Sequence, residues 1–103
     1  MKIAFALSVS LFCAASSAHA QTQIPDPLQV RSWAAGCANC HGTNGRAEAG
    51  MVALAGVDKD LIVQKMQDYK TGRTTGTIMH QLSKGYSDAQ IVAIAAYFAS
   101  QKK

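Results

Sequence analysis

Cys37-Ala38-Asn39-Cys40-His41 is the stretch of this 103-residue chain that decides its fold. Two cysteines three positions apart lie about one helical turn from each other, which is the separation needed to reach the two vinyl groups of a haem. The imidazole that follows them then falls under the iron as its proximal ligand. The stretch therefore predicts one covalent haem c, with thioether bonds to Cys37 and Cys40 and with His41 as a ligand of the iron.

Two other roles of a Cys-x-x-Cys pair are open on chemistry alone. Thiol exchange expects a strand-helix-strand setting, and no alternating strand pattern occurs in this sequence. A zinc site needs two further ligands at a suitable spacing. His41 and His80 follow the N-terminal segment, so a Cys2His2 site is allowed by count, although His80 lies outside the usual spacing.

The first twenty residues have the pattern of a secretory signal peptide. Lys2 supplies a positive start, residues 3–15 are mostly apolar, and an A-H-A cleavage pattern ends at Ala20. The apolar run is shorter than the roughly 20 residues of a membrane span. We therefore expect residues 1–20 to be a signal peptide, residues 21–103 to form one monohaem domain, and the domain to reside in the periplasm without a membrane span.

Charge and cysteine content narrow the function classes. Cys13 does not fit a lipoprotein cleavage site because the bulky Phe12 precedes it. Removing Lys2 with the signal peptide leaves nine Lys and Arg against six Asp and Glu, a net charge of +3. Two ionised haem propionates would lower this net charge to about +1. The surplus is too small to indicate a nucleic acid partner, and a domain this small needs the staple that a covalent haem provides.

Caps and hydrophobic periodicity predict an all-α chain with three main helices and one short helix. Three polar N-cap residues begin the main helices: Asp26, Asp58 and Ser87. The first is expected to end near Cys37 after about ten residues, and the second at Gly72. A short helix is expected over residues 78–84. The buried stripe of the last helix is predicted to be Ile91, Ile94, Ala95 and Phe98.

The second axial ligand is a choice among three methionines and one histidine. A Met sulfur would raise the reduction potential and close the site, as an electron carrier requires, whereas an open position suits a haem enzyme or gas sensor. Met66 lies on a helical apolar stripe, and Met51 comes only ten residues after His41. Met79 follows a Thr- and Gly-rich loop that lets the chain reach the opposite haem face. We therefore predict Met79, with the neighbouring His80 as its rival.

Three weaker signals have both a functional and an ordinary interpretation. The planar fork of Arg73 suits a haem propionate, but a solvated loop arginine is an equal alternative. Gly36 would let the first helix approach the last one closely at Tyr97 or Phe98, or it is simply a helix end. Trp33 would either shield the haem or pack on the last helix, and core packing is the expected role.

Taken together, these motifs resemble the class I cytochromes c, and most of all the small bacterial domains of the cytochrome c4 and flavocytochrome c type. The matching segments are residues 37–42 (CANCHG), 54–56 (LAG), 69–73 (YKTGR), 78–79 (IM), 84–88 (KGYSD) and 95–100 (AAYFAS). The resemblance implies the class I cytochrome c fold around one haem, with His41 and Met79 as axial ligands.

The resemblance also implies a function and one departure from the family pattern. It implies a one-electron carrier rather than an enzyme, acting as the haem partner of a flavoprotein dehydrogenase that oxidises sulfide or another sulfur compound. The alternative is a free carrier to a terminal oxidase or another reductase. Such cytochromes often have a proline after the haem motif, whose carbonyl accepts the proximal histidine N–H. No proline follows the motif here, so we expect a carbonyl within residues 50–54 to orient His41.

Overall fold

The computed structural model describes residues 24–103, which fold into four α-helices. They are α1 (Pro27–His41), α2 (Lys59–Lys70), α3 (Met79–Leu82) and α4 (Asp88–Ala99), with 3-10 turns at Thr43–Gly45 and Ser83–Gly85. No strand occurs in this part of the chain, which confirms an all-α fold with three main helices and a short one. Within it, no helix has the length and apolar character that crossing a membrane requires. The predicted signal peptide lies outside the described residues.

The three main helices begin where their cap residues predict. Asp26 accepts a hydrogen bond from the backbone N–H two residues later at 3.2 Å. Asp58 accepts from the N–H groups two and three residues later, at 2.9 and 3.1 Å. Ser87 and Gln90 form a complete capping box. These side chains satisfy N–H groups that have no partner inside the helix, so each start is defined locally.

The prediction that the first helix ends near Cys37 is wrong. Helix α1 runs for 15 residues, through the whole haem motif to His41. Gly36 does not stop it, because a single glycine inside a helix costs only about 1 kcal/mol and the flanking alanines are strong helix formers. Gly42 ends the helix at a φ of 79°, and its N–H donates to the Ala38 carbonyl at 3.0 Å. Both cysteines and the histidine therefore lie in the last two turns of one helix.

Helix α4 forms the centre of the core, because it packs against both α1 and α2. All four residues of its predicted stripe are buried, and Ala95 is completely inaccessible. Trp33 packs against the edge of this core, as predicted. The core cluster consists of Ala34, Ile62, Met66, Ile91, Ile94, Ala95 and Phe98.

The close approach to α4 is made by Gly45 and not by Gly36. A Cβ atom on Gly45 would lie 2.8 Å from Cδ1 of Phe98, and its φ of 78° is in the left-handed region. A Cβ atom on Gly36 would lie 3.5 Å from the Tyr86 hydroxyl, an ordinary contact distance. The predicted role of Gly36 at a crossing with Tyr97 or Phe98 is therefore wrong, since the haem motif's own downstream loop occupies that place.

This downstream loop, residues 42–57, is here named the proximal loop, and it is fastened to the end of α4. Three hydrogen bonds hold it there: Gly56 N–H to the Phe98 carbonyl at 2.9 Å, the Tyr97 hydroxyl to Asn44 Oδ1 at 2.8 Å, and Arg46 Nε to the Lys102 carbonyl at 3.0 Å. The loop is therefore a fixed support beside the C-terminal end of α1, although it has almost no regular secondary structure.

Candidate functional site

The two cysteines lie at the C-terminal end of α1, three residues apart and unlinked by a disulfide. Cys37 is half-buried and Cys40 is exposed. Burial raises the pKa of the Cys37 thiol above its ordinary value, although a backbone hydrogen bond partly opposes this. The negative end of the helix dipole disfavours a thiolate there as well. Thiol-exchange proteins need the opposite, a lowered pKa, so this setting speaks against that role.

His41 is oriented by a backbone carbonyl of the proximal loop. Its Nδ1 lies 2.6 Å from the carbonyl oxygen of Val52. Because a carbonyl can only accept, Nδ1 carries the proton, and Nε2 is left with the lone pair that binds a metal ion. The carbonyl lies within residues 50–54, as expected for a chain that lacks the proline. The chain therefore supplies the imidazole in the tautomer and with the support that a haem ligand needs.

Gly42 makes this arrangement sterically allowed. A Cβ atom at this position would overlap the backbone carbonyl of Arg46, so the chain turns back here in a way open only to glycine. The turn continues through Gly45, whose carbonyl accepts from Leu54 N–H at 2.8 Å. That bond holds in place the segment next to Val52, and so fixes the carbonyl that accepts the hydrogen bond from His41.

Met79 begins α3 and is half-buried against the core cluster, against which Cys37 also packs. Met66 is 8% exposed and belongs to the core itself, whereas Met51 is 48% exposed. The rival, His80, is half-buried, and its Nδ1 has no hydrogen-bond partner within residues 24–103. Of the three candidate methionines, Met79 is the one that is neither buried in the core nor mostly exposed. It therefore stays the predicted ligand, and His80 remains its competitor.

Arg73 is engaged with a carboxylate of the protein. Its Nη1 lies 2.7 Å from Asp68 Oδ1, and its side chain is 72% exposed. The structure thus places Arg73 in an exposed ion pair with α2, and its pairing with a haem propionate stays a prediction.

Lys70 makes contacts that the sequence patterns do not indicate. Its Nζ donates to the Tyr86 carbonyl at 2.7 Å and to Asp88 Oδ1 at 2.8 Å. Gln67 Nε2 also donates to Asp88, at 3.0 Å, and the hydrogen bonds from Lys70 and then Gln67 hold the pKa of the Asp88 carboxyl below its ordinary value. The sequence gives two signals: Lys70 is the last residue of α2, and it lies within residues 69–73 (YKTGR), one of the segments that match the family.

The donor set fits a haem c better than a zinc ion. No group of three or more His, Cys, Asp or Glu side chains within residues 24–103 is placed to bind a metal. Two unlinked thiols on one helical turn, with an imidazole whose Nε2 is available, match the attachment chemistry of a haem.

Comparison with known proteins gives the same picture. The family model described as cytochrome c matches residues 30–102. The cytochrome subunit of sulfide dehydrogenase from Chlorobaculum tepidum is 36% identical over 67 residues, which cover 65% of this chain and 61% of that protein. Cytochrome c4 from Pseudomonas aeruginosa is 41% identical over 78 residues, 75% of this chain and 39% of that protein. A thiosulfate dehydrogenase electron acceptor from Stutzerimonas stutzeri is 36% identical over 62 residues, 58% of this chain and 29% of that protein. The chain thus spans less than two thirds of the length of each of these relatives.

Proposed function

Because the chain belongs to the cytochrome c family, whose members carry covalently bound haem, we propose that it transfers single electrons through one haem c. The observation that carries the proposal is the 2.6 Å hydrogen bond from His41 Nδ1 to the Val52 carbonyl. It holds the imidazole in the protonation state and orientation of a proximal ligand. A surface histidine outside a metal site has no need of such a fixed acceptor.

In this proposal Cys37 and Cys40 would hold the haem through thioether bonds, and His41 and Met79 would be the ligands of its iron. When bound, the haem supplies an iron that alternates between Fe(II) and Fe(III). The Val52 carbonyl strengthens His41 as a donor, because it draws on the proton of the other ring nitrogen. The thioether of Met79 favours the reduced state and so raises the reduction potential. Cys37 and Met79 both pack against the helical core.

The location and the partner are further parts of the proposal. Residues 1–20 would direct the chain to the periplasm as a signal peptide. The electron donor would be a flavoprotein dehydrogenase that oxidises sulfide or another sulfur compound. Relatives named as a cytochrome subunit of sulfide dehydrogenase and as a thiosulfate dehydrogenase electron acceptor support this. A free carrier to a terminal oxidase or other reductase is the alternative.

Haem attachment is tested by a pyridine haemochrome spectrum of the purified protein. We expect one haem per chain that remains with the protein after denaturation, and none in a variant with both Cys37→Ala and Cys40→Ala. A His80→Ala variant serves as the control, because it leaves the thiols and the proximal ligand untouched, and it should retain its haem. A wild-type protein without haem would disprove the proposed function.

The donor is tested by mixing the oxidised protein with candidate dehydrogenases and following haem reduction. A flavoprotein sulfide dehydrogenase with sulfide is expected to reduce it and to co-purify with it. Thiosulfate dehydrogenase with thiosulfate tests the second sulfur compound. If neither enzyme reduces the protein while a terminal oxidase readily oxidises its reduced form, the free carrier replaces the subunit in the proposal.

A further inference from the structure

The segment that carries Met79, residues 71–87, is here named the distal loop, and its first half is fixed to α2 at two places. Arg73 Nη1 lies 2.7 Å from Asp68 Oδ1, and Thr74 N–H donates to the Asp68 backbone carbonyl at 3.1 Å. Further along, a Cβ atom on Gly76 would lie 2.9 Å from Cε1 of Tyr69, so the backbone there runs directly over the aromatic ring. The loop is therefore held close to α2 before it reaches Met79.

The second half of the distal loop is held to α2 by Lys70. Its ammonium group donates at 2.7 Å to the backbone carbonyl of Tyr86, next to the end of the loop. The same group lies 2.8 Å from the carboxylate of Asp88, the first residue of α4. The Lys70 side chain is only 26% exposed, so its hydrogen bond to the Tyr86 carbonyl is partly shielded from water. The Asp88 carboxylate is 76% exposed, so its contact with Lys70 is a surface ion pair and contributes less.

The chain between Met79 and Tyr86 is stiff enough to transmit this attachment. Helix α3 passes without a break into the 3-10 turn, and Ser83 within that turn is fully buried. Tyr86 also reaches α1, because its hydroxyl packs beside Gly36. A displacement of Tyr86 would therefore be passed on to Met79 rather than absorbed between them.

We propose that Lys70 is a positioning residue, which keeps Met79 in the second axial position by locking the end of the distal loop to α2. The proposal rests on the function proposed above, because it takes Met79 as an axial ligand. Without Lys70, the loop carbonyl and the Asp88 carboxylate lose their common donor. Conformations in which Met79 has moved away from the iron then become more populated. An external ligand that competes for the same position binds more tightly, in proportion to the population of these open conformations.

The test is an imidazole titration of the oxidised, haem-loaded protein, followed by loss of the weak sulfur-to-iron absorption band in the red. We expect the Lys70→Met variant to bind imidazole about tenfold more tightly than wild type, as an estimate from a tenfold larger open population. Asp88→Asn, which removes the charge but leaves the bond from Lys70 to the Tyr86 carbonyl, should give a smaller gain of about threefold. Lys70→Arg retains donors at this position and should remain close to wild type.

Two control variants separate positioning from general effects. Asp58→Ala removes the N-cap at the opposite end of α2 and so weakens the fold without touching the distal loop. Lys65→Met removes the charge of an exposed lysine on the same helix, one that forms no hydrogen bond or ion pair with the part of the chain the structure describes. Imidazole affinity in both controls should match that of wild type.

Each remaining outcome is decisive. Unchanged imidazole affinity in both Lys70→Met and Asp88→Asn would overturn the positioning role. An equal gain in Asp58→Ala would also overturn it, since the effect would then follow overall stability. A wild-type protein that contains haem but lacks the sulfur-to-iron band would disprove Met79 as the ligand, a failure of the proposed function that is visible before any variant is made.

Discussion

Replacing Met79 by Ala is expected to open the second axial position and to lower the reduction potential on the order of 0.2 V, within the roughly 0.8 V range that axial ligands span. As the proposed ligand, the sulfur of Met79 would stabilise Fe(II) relative to Fe(III), and alanine offers no donor in its place. Potentiometric titration measures the fall in potential. Carbon monoxide should bind to the reduced variant and not to the reduced wild-type protein, because only the variant has an open position.

Two matched variants show whether the effect belongs to Met79. Met51→Ala removes a methionine that is 48% exposed, and it should leave the potential and carbon monoxide binding unchanged. His80→Ala tests the rival ligand next in the chain. If His80→Ala opens the site while Met79→Ala does not, the assignment of the ligand moves to His80. Carbon monoxide binding to native wild-type protein would instead indicate an open site, as in a haem enzyme or gas sensor.

Replacing Gly45 by Ala is expected to destabilise the folded protein by about 3 kcal/mol. The left-handed φ of 78° costs an alanine about 1 kcal/mol. The added Cβ would also lie 2.8 Å from both the Ala55 backbone nitrogen and Cδ1 of Phe98, and relieving that overlap costs about 2 kcal/mol more. Urea unfolding of the haem-loaded protein, followed by circular dichroism, measures the change in the free energy of unfolding.

Two other glycines allow the backbone cost and the steric cost to be measured separately. Gly50 has a φ of 91° but nothing within 4 Å of an added Cβ, so Gly50→Ala should show the backbone cost alone, about 1 kcal/mol. Gly85 has neither a left-handed φ nor a neighbour within 4 Å, and Gly85→Ala should change the free energy of unfolding little. If Gly50→Ala destabilises the protein as much as Gly45→Ala does, the contact with Phe98 is not the cause of the larger effect.

Features of this fold that depend on neighbouring residues were predictable from the sequence. The three N-caps act on N–H groups two or three residues away, so a short stretch of sequence contains the whole interaction. The buried stripe of α4 follows from helical periodicity, because apolar residues at this spacing line the face of the helix that packs against the core. Every predicted position is buried. The haem motif is local in the same sense, since its two thiols and imidazole occupy five consecutive residues.

Features that depend on residues far apart in the chain were not predictable. Gly45 is required because Phe98 lies over it, a contact across more than fifty residues that no local pattern encodes. The role of Lys70 depends on the return of the chain at Tyr86 and Asp88. The length of α1 was underestimated for a different reason. Glycine is a frequent helix end, but Gly36 adopts helical geometry here and the left-handed turn falls on Gly42.

Because the proximal loop is attached to α4, the spacing of the two thiols and the support of His41 depend on different parts of the sequence. The thiols proposed to bond to the haem belong to one short segment, and their spacing exists as soon as a single turn of helix forms. The support of His41 by Val52 is different, because the loop is held in place by contacts to Phe98, Tyr97 and Lys102 near the far end of the sequence. A chain that is still being synthesised therefore contains both His41 and the Val52 carbonyl long before the contacts that hold the proximal loop in place can form. In the proposed site, haem attachment would need only this local structure, whereas the support of His41 would require the last helix to be in place.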